Sequence, residues 1–239
     1  MAKMLIDFWG DITCPYCYIG GHILQQTLEA LPYKGNIQVR WKSCLLHTNL
    51  KEGVCHPFQY HLQQAGLSMP EIQEKVRNIT SYAKRYGVEL HVERSFSANT
   101  TNAARLLKEA NRHNCTLPVL LALGRGEMVE GLNMSDPEHL KTKAIQGGMP
   151  AALVNEVLNS TKHLDEVQRD QQEAQHKAYN YVPTLYIHHK HCMEGQLEAE
   201  PLKKLIHNAY QEYAQEQDRW EAMEIEQLGA DSCGIECEE

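Results

Sequence analysis

The chain opens on a short apolar run, Met4-Leu5-Ile6-Asp7-Phe8-Trp9, which predicts a buried strand over 4–9 followed by a turn at Gly10-Asp11. From Tyr16 to about Leu31, Ile19, Ile23, Leu24, Leu28 and Leu31 recur at helical spacing, and Pro32 ends that helix. Ile37, Val39 and Trp41 then alternate with Gln38, Arg40 and Lys42, the period of a strand. Residues 3–43 therefore read as a β-α-β unit with a right-handed crossover.

The pattern changes after this unit, and residues 56–178 read as almost wholly helical. Ser68-Met-Pro-Glu71 is a capping box ahead of a face made by Ile72, Val76, Ile79, Ala83 and Tyr86. Helices are predicted over Asn102–Asn114 and Leu117–Met128. Another follows a second capping box at Ser135-Asp-Pro-Glu138, and two more cover Ala151–Leu158 and His163–Tyr179. Alternation returns at Thr184–Ile187, a turn at 188–190 and a partner strand at 191–194. A long helix opens at Pro201. The expected class is α/β, β-α-β … β-β-α with a large all-helical insertion. The expected domains are 1–55 with 179–220, the insertion 56–178, and a tail from 221 to 239.

Composition changes this picture in one place. There are 31 acidic residues against 23 Lys and Arg among 239, a net charge of −8. Seven of the acids fall in residues 221–239, which hold no Lys or Arg, so the body is nearly neutral and the acidity belongs to the tail. No basic stripe points to nucleic acid, and no apolar run approaches the roughly 18 residues of a membrane span. The N-terminus lacks the apolar core of a secretion signal, so a cytoplasmic location is expected.

The eight cysteines are too sparse for a disulfide scaffold. Cys14-Pro15-Tyr16-Cys17 sits between the first strand and the first helix. There the unpartnered N–H groups and the helix dipole favour a thiolate at Cys14, and Pro15 sacrifices no hydrogen bond. Cys17, one turn on, can close a disulfide back to Cys14. A C-x-x-C pair inside β-α-β is a redox arrangement, whereas zinc would need two more ligands and no second C-x-x-C exists. Val182-Pro183 begins the returning strand, where an X-Pro bond can be cis and Pro183 leaves a strand edge without its N–H. Asp7 and Asp11 are candidate proton acceptors near the thiols.

Asp11-Ile-Thr-Cys-Pro-Tyr-Cys-Tyr-Ile-Gly20, Asn99-Thr100, Val182-Pro183 and Gly195-Gln196 together resemble the DsbA family of thioredoxin-fold oxidoreductases, in particular its FrnE-like branch. The resemblance spans about residues 3–215. Tyr16 stands where the family usually has Trp, and Ala104 where a His is common. The resemblance implies a thioredoxin fold, with Cys14 as the exposed attacking thiol and Cys17 as the buried resolving thiol. Pro183 would be the cis proline, and Val182, Tyr16 and Pro15 would line the substrate edge. It implies protein thiols and disulfides as partners, with glutathione or a thioredoxin-type protein as reductant, no cofactor beyond the dithiol unless glutathione serves as co-substrate, and a monomer or homodimer. Relatives in the superfamily, kappa-class glutathione transferases and 2-hydroxychromene-2-carboxylate isomerases, use glutathione, so a glutathione-dependent transferase or isomerase is an alternative function, with Asn99 as a candidate binding residue. Cys233 and Cys237 resemble a second, accessory redox pair.

A non-enzymatic alternative is a thiol-based metal-binding protein using Cys14, Cys17 and the tail pair. Cys44 and Cys115 are expected in the core. Cys44, His47, Cys55 and His56 converge poorly as metal ligands, and His188-His189-Lys190-His191-Cys192 reads as an exposed polar turn.

Overall fold

The computed structural model describes residues 3–232. Strand β1 (Met4–Gly10), helix α1 (Pro15–Glu29) and strand β2 (Ile37–Ser43) form the β-α-β unit. The two strands pair in parallel with Phe8 opposite Trp41, whose rings stack at 5.8 Å. Strands β5 (Thr184–Ile187) and β6 (His191–Glu194) complete a four-stranded sheet of order β2-β1-β5-β6, in which β5 runs antiparallel to both neighbours. β1 is central, which explains why its side chains are buried nearly without alternation. This is the thioredoxin arrangement.

Between β2 and β5 lie α2 (Phe58–Gln64), α3 (Met69–Arg85), α4 (Thr101–Arg112), α5 (Thr116–Met128), α6 (Pro137–Gln146), α7 (Ala151–Leu158) and α8 (Leu164–His176). The segment is not all helix, however. Cys55–Pro57 (β3) and Phe96–Ala98 (β4) pair antiparallel, with Cys55 opposite Ala98. Three-residue strands carry too few positions to show a period, so the pattern concealed them. The α3 capping box forms as expected, its Ser68 N–H donating to Glu71 at 2.7 Å. The cap of α6 falls one residue later than expected. The Asp136 carboxylate accepts from Glu138 N–H at 2.8 Å, while the Ser135 hydroxyl bonds Asn133.

Helix packing depends on close approach. A Cβ on Gly124 would lie 2.5 Å from the Tyr18 ring, and one on Gly21 3.1 Å from Leu121, so these glycines let α5 come down onto α1. Helix α4 is buried on two sides. Its apolar face holds Ala103, Leu106, Leu107 and Ala110, and its polar face holds Lys108 and Glu109. Lys108 pairs with Asp170 of α8, and Glu109 bonds His163 at 2.5 Å, so neither charge is buried alone. The Glu109 carboxyl accordingly sits at about 2, against the cost of its burial, held down by His163, Lys162 and His113.

The last helix, α9, runs Ala199–Ser232, about 50 Å at 1.5 Å per residue. It thus passes through the boundary placed at 220, and the first part of the acidic segment is helical. The 188–190 turn has positive φ at His188 and His189. It is tied to α9 by His188 with Glu216 (3.0 Å) and His191 with Glu212 (3.1 Å). Cys44 and Cys115 are half-buried rather than core, because each lies at the mouth of an element and not on its inner face. No described helix is long and apolar enough to cross a membrane.

Candidate functional site

The turn after β1 builds the site. Asp11 is completely buried, and its carboxylate collects three donors: Thr13 N–H (3.0 Å), the Thr100 hydroxyl (2.9 Å) and Leu46 N–H (2.7 Å). It therefore joins this turn to the start of α4 and to the loop after β2. The Asp11 carbonyl in turn accepts from Cys14 N–H at 3.1 Å. Cys14 is the N-cap of α1 with extended backbone. Pro15 follows at the first helical position, and the N–H groups of Cys17 and Tyr18 close on the Cys14 carbonyl at 3.0 and 3.2 Å.

Cys17 is 0 % exposed. Burial pushes its thiol well up, the neighbouring Cys14 sulfur adds to this, and the Asp11 backbone N–H pulls the other way. Its sulfur fits because residue 10 is glycine. A Cβ there would stand 2.8 Å from Cys17 Sγ and 3.2 Å from the Phe8 and Trp41 rings. Both thiols are free. Cys14 is only 5 % exposed, which corrects the expectation of an open thiol. The reason is the facing loop, whose Val182 carbonyl accepts from Cys14 Sγ at 3.5 Å.

That loop is anchored from both ends. The Val182–Pro183 peptide is cis. The Pro183 carbonyl accepts from Gly195 N–H at 2.8 Å, and a Cβ on Gly20 of α1 would lie 3.0 Å from the Pro183 ring. Tyr16, Tyr181, Val182, Glu194, Gly195 and Gln196 line a cavity of about 380 Å³ beside the dithiol. Tyr16 and Val182 thus line the same cavity. Tyr181 and Glu194 escaped the sequence reading, since nothing in a tyrosine before Val-Pro or a glutamate ending a strand marks a cavity wall. A larger cavity of about 490 Å³ along β2, α4 and α8 contains neither cysteine, and its charges are paired, as Lys42 is with Asp170 and Arg112 with Glu166.

Other candidates fall elsewhere. Asp7 forms a two-point ion pair with Arg40, at 2.7 and 2.9 Å, so its carboxylate is engaged across β1 and β2. The Asn99 amide donates to the Leu50 carbonyl at 2.8 Å and accepts from Thr101 N–H at 3.0 Å, which occupies it in starting α4. Cys44 approaches the site through its N–H, 2.9 Å from the Gly10 carbonyl. Burial and the Asp11 carboxylate push its thiol up to about 11, so it is a poor nucleophile at neutral pH. His47 stacks on His61 at 4.6 Å. Among the described residues no group of three His, Cys, Asp or Glu side chains is placed to hold a metal ion. Cys233 and Cys237 lie outside the described residues.

The family model of the DSBA-like thioredoxin domain matches residues 5–211. Among solved structures, a probable DsbA oxidoreductase from Streptomyces coelicolor is similar at 25 % identity and a TM-score of 0.78, over 88 % of this chain and 91 % of that one. A cytosolic disulfide reductase from Pseudomonas aeruginosa, solved with GSH, is 16 % identical with a TM-score of 0.55, over 90 % and 99 %. A 2-hydroxychromene-2-carboxylate isomerase is 14 % identical with a TM-score of 0.57, over 89 % and 98 %. These last two share the fold. A search of curated proteins finds no significant match.

Proposed function

Since the chain belongs to the DSBA-like thioredoxin domain family, we propose that it is a thiol–disulfide oxidoreductase acting on protein disulfides through Cys14 and Cys17, in the cytoplasm. The observation that carries this reading is the contact between Cys14 Sγ and the Val182 carbonyl, 3.5 Å across 168 positions of sequence. It joins the dithiol to a strand edge that can hold an extended peptide.

The steps follow from the two environments. Cys14, at the helix N-terminus, attacks one sulfur of the substrate disulfide. The substrate S–S bond breaks, a mixed disulfide forms, and the leaving thiolate takes up a proton. Cys17, kept as a thiol by burial, loses its proton and attacks Cys14 Sγ. The second substrate thiol departs and Cys14–Cys17 is left oxidised. The same steps reversed deliver a disulfide, and the relative potentials of the two couples set the direction. A glutathione-dependent reaction is supported less well, because the Asn99 amide is already occupied.

The test is reduction of a protein disulfide by the reduced protein. Cys14→Ser abolishes turnover, and Cys17→Ser accumulates the mixed disulfide, visible by non-reducing electrophoresis. Full turnover by the Cys14→Ser variant would sink the mechanism.

A further inference from the structure

The cavity beside Cys14 has an asymmetric charge. Its walls are mainly apolar, made by Tyr16, Tyr181, Val182 and Gly195, and Glu194 is the one ionisable acid or base among the residues that line it besides the two tyrosines. Among the described residues Glu194 forms no ion pair. Its neighbour is the Cys192 thiol, 4.0 Å from Oε1. The cations on nearby elements are taken: Arg85 pairs with Glu198 and Lys177 with Glu173, each at 3.0 Å. Tyr181 is 67 % exposed and leaves an aromatic surface open to solvent. Gly195 lies beside it, with the Tyr181 Cβ 3.6 Å from where a Cβ on residue 195 would stand.

A carboxylate without a counter-ion among the described residues, lining the same cavity as Tyr16 and Tyr181, is complementary to a cationic side chain. The aliphatic stem of Arg or Lys covers the apolar wall, the guanidinium or ammonium lies on a tyrosine face, and the charge meets the carboxylate. The same site opposes an anion. Glutathione carries two carboxylates and one ammonium, so its net negative charge meets only Glu194 there.

Resting on the proposed dithiol exchange, we propose that Glu194 is a specificity residue. It directs the enzyme to disulfides whose half-cystine is flanked by Arg or Lys, and away from glutathione disulfide. The covalent steps are unchanged. Glu194 acts on which disulfide is brought to Cys14, through the Val182 loop that lines this cavity and touches the Cys14 sulfur.

The experiment compares kcat/KM for peptide disulfides that differ only in having Arg, Gln or Glu beside the cysteine, and for glutathione disulfide, at low ionic strength. The reduced wild-type protein favours the Arg peptide over the Glu peptide by about five- to tenfold, and added salt shrinks the ratio because the pair is exposed. Glu194→Gln removes that preference, bringing the three peptides to similar rates, and raises the rate with glutathione disulfide. Effects of opposite sign on the two substrates are what a merely structural role of residue 194 cannot produce. Equal rates for the three peptides, or an Arg preference that survives Glu194→Gln, overturn the assignment while leaving the dithiol function standing. Failure to turn over any of the disulfides overturns both.

Discussion

Glu127 offers the sharpest test of the energetics. It is completely buried in α5. Its carboxyl accepts from Phe96 N–H of β4 at 2.6 Å and from Met134 N–H at 3.3 Å, with no cation paired to it among the described residues. Burial raises its pKa from 4.5 to about 8, more than the two N–H donors lower it. The folded protein therefore binds this proton more tightly than the unfolded chain. The contribution to stability is complete below pH 4.5, declines as pH rises and the unfolded chain ionises, and is gone once pH passes about 8. At roughly 1.4 kcal/mol per unit, a displacement of about 3.5 units corresponds to about 5 kcal/mol across that window.

Glu127→Gln is uncharged at every pH. Its amide NH₂ faces Met134 N–H and loses that bond, a cost of about 1–2 kcal/mol. The variant is thus less stable than wild type at pH 5 and more stable, by about 3 kcal/mol, at pH 8.5. Urea unfolding followed by circular dichroism at several pH values measures the difference directly, and subtracting the two curves cancels the other titrating groups. A difference that stays constant from pH 5 to 8.5 refutes the reasoning.

Two further substitutions probe the turn that builds the site. Gly10→Ala places a methyl 2.8 Å from Cys17 Sγ; the expected loss is about 1–3 kcal/mol, read as a lowered Tm, and an unchanged Tm shows that the sulfur is free to move aside. Asp11→Asn keeps one acceptor oxygen for three donors; it costs about 1–3 kcal/mol and speeds amide exchange at Leu46 or Thr13, whereas full protection at both would mean the carboxylate is not what holds the loop.

The α1 helix shows how a local signal becomes legible. Cys14, Pro15 and Cys17 announce a helix start because capping and the lone N–H groups of a first turn are properties of adjacent residues. The period of Ile19, Ile23 and Leu24 then gives the buried face. The family string Asp11–Gly20 could be read for the same reason. Asp11 itself was only half legible: its place in a turn followed from spacing, but its bonds to Leu46 and Thr100 depend on segments 35 and 89 residues away. The β3–β4 ribbon is not legible in the sequence because each strand is three residues long and finds its partner about 40 positions on.

The four strands of the main sheet and the helices between them from α3 onward, the dithiol at a helix N-terminus and the concentration of acid at the C-terminal end were legible in the sequence alone, since each depends on neighbours in the chain or on simple counts. Tertiary structure decided the rest. It covered Cys14 with the Val182 carbonyl and bound Asp7 to Arg40 and Asn99 to Leu50. It also brought Glu194, which has no ion pair among the described residues, into one cavity with Tyr16 and Val182. The physical reason is common to all of these. A polar group's role depends on which partner reaches it first in three dimensions, and that competition is settled only when distant segments pack.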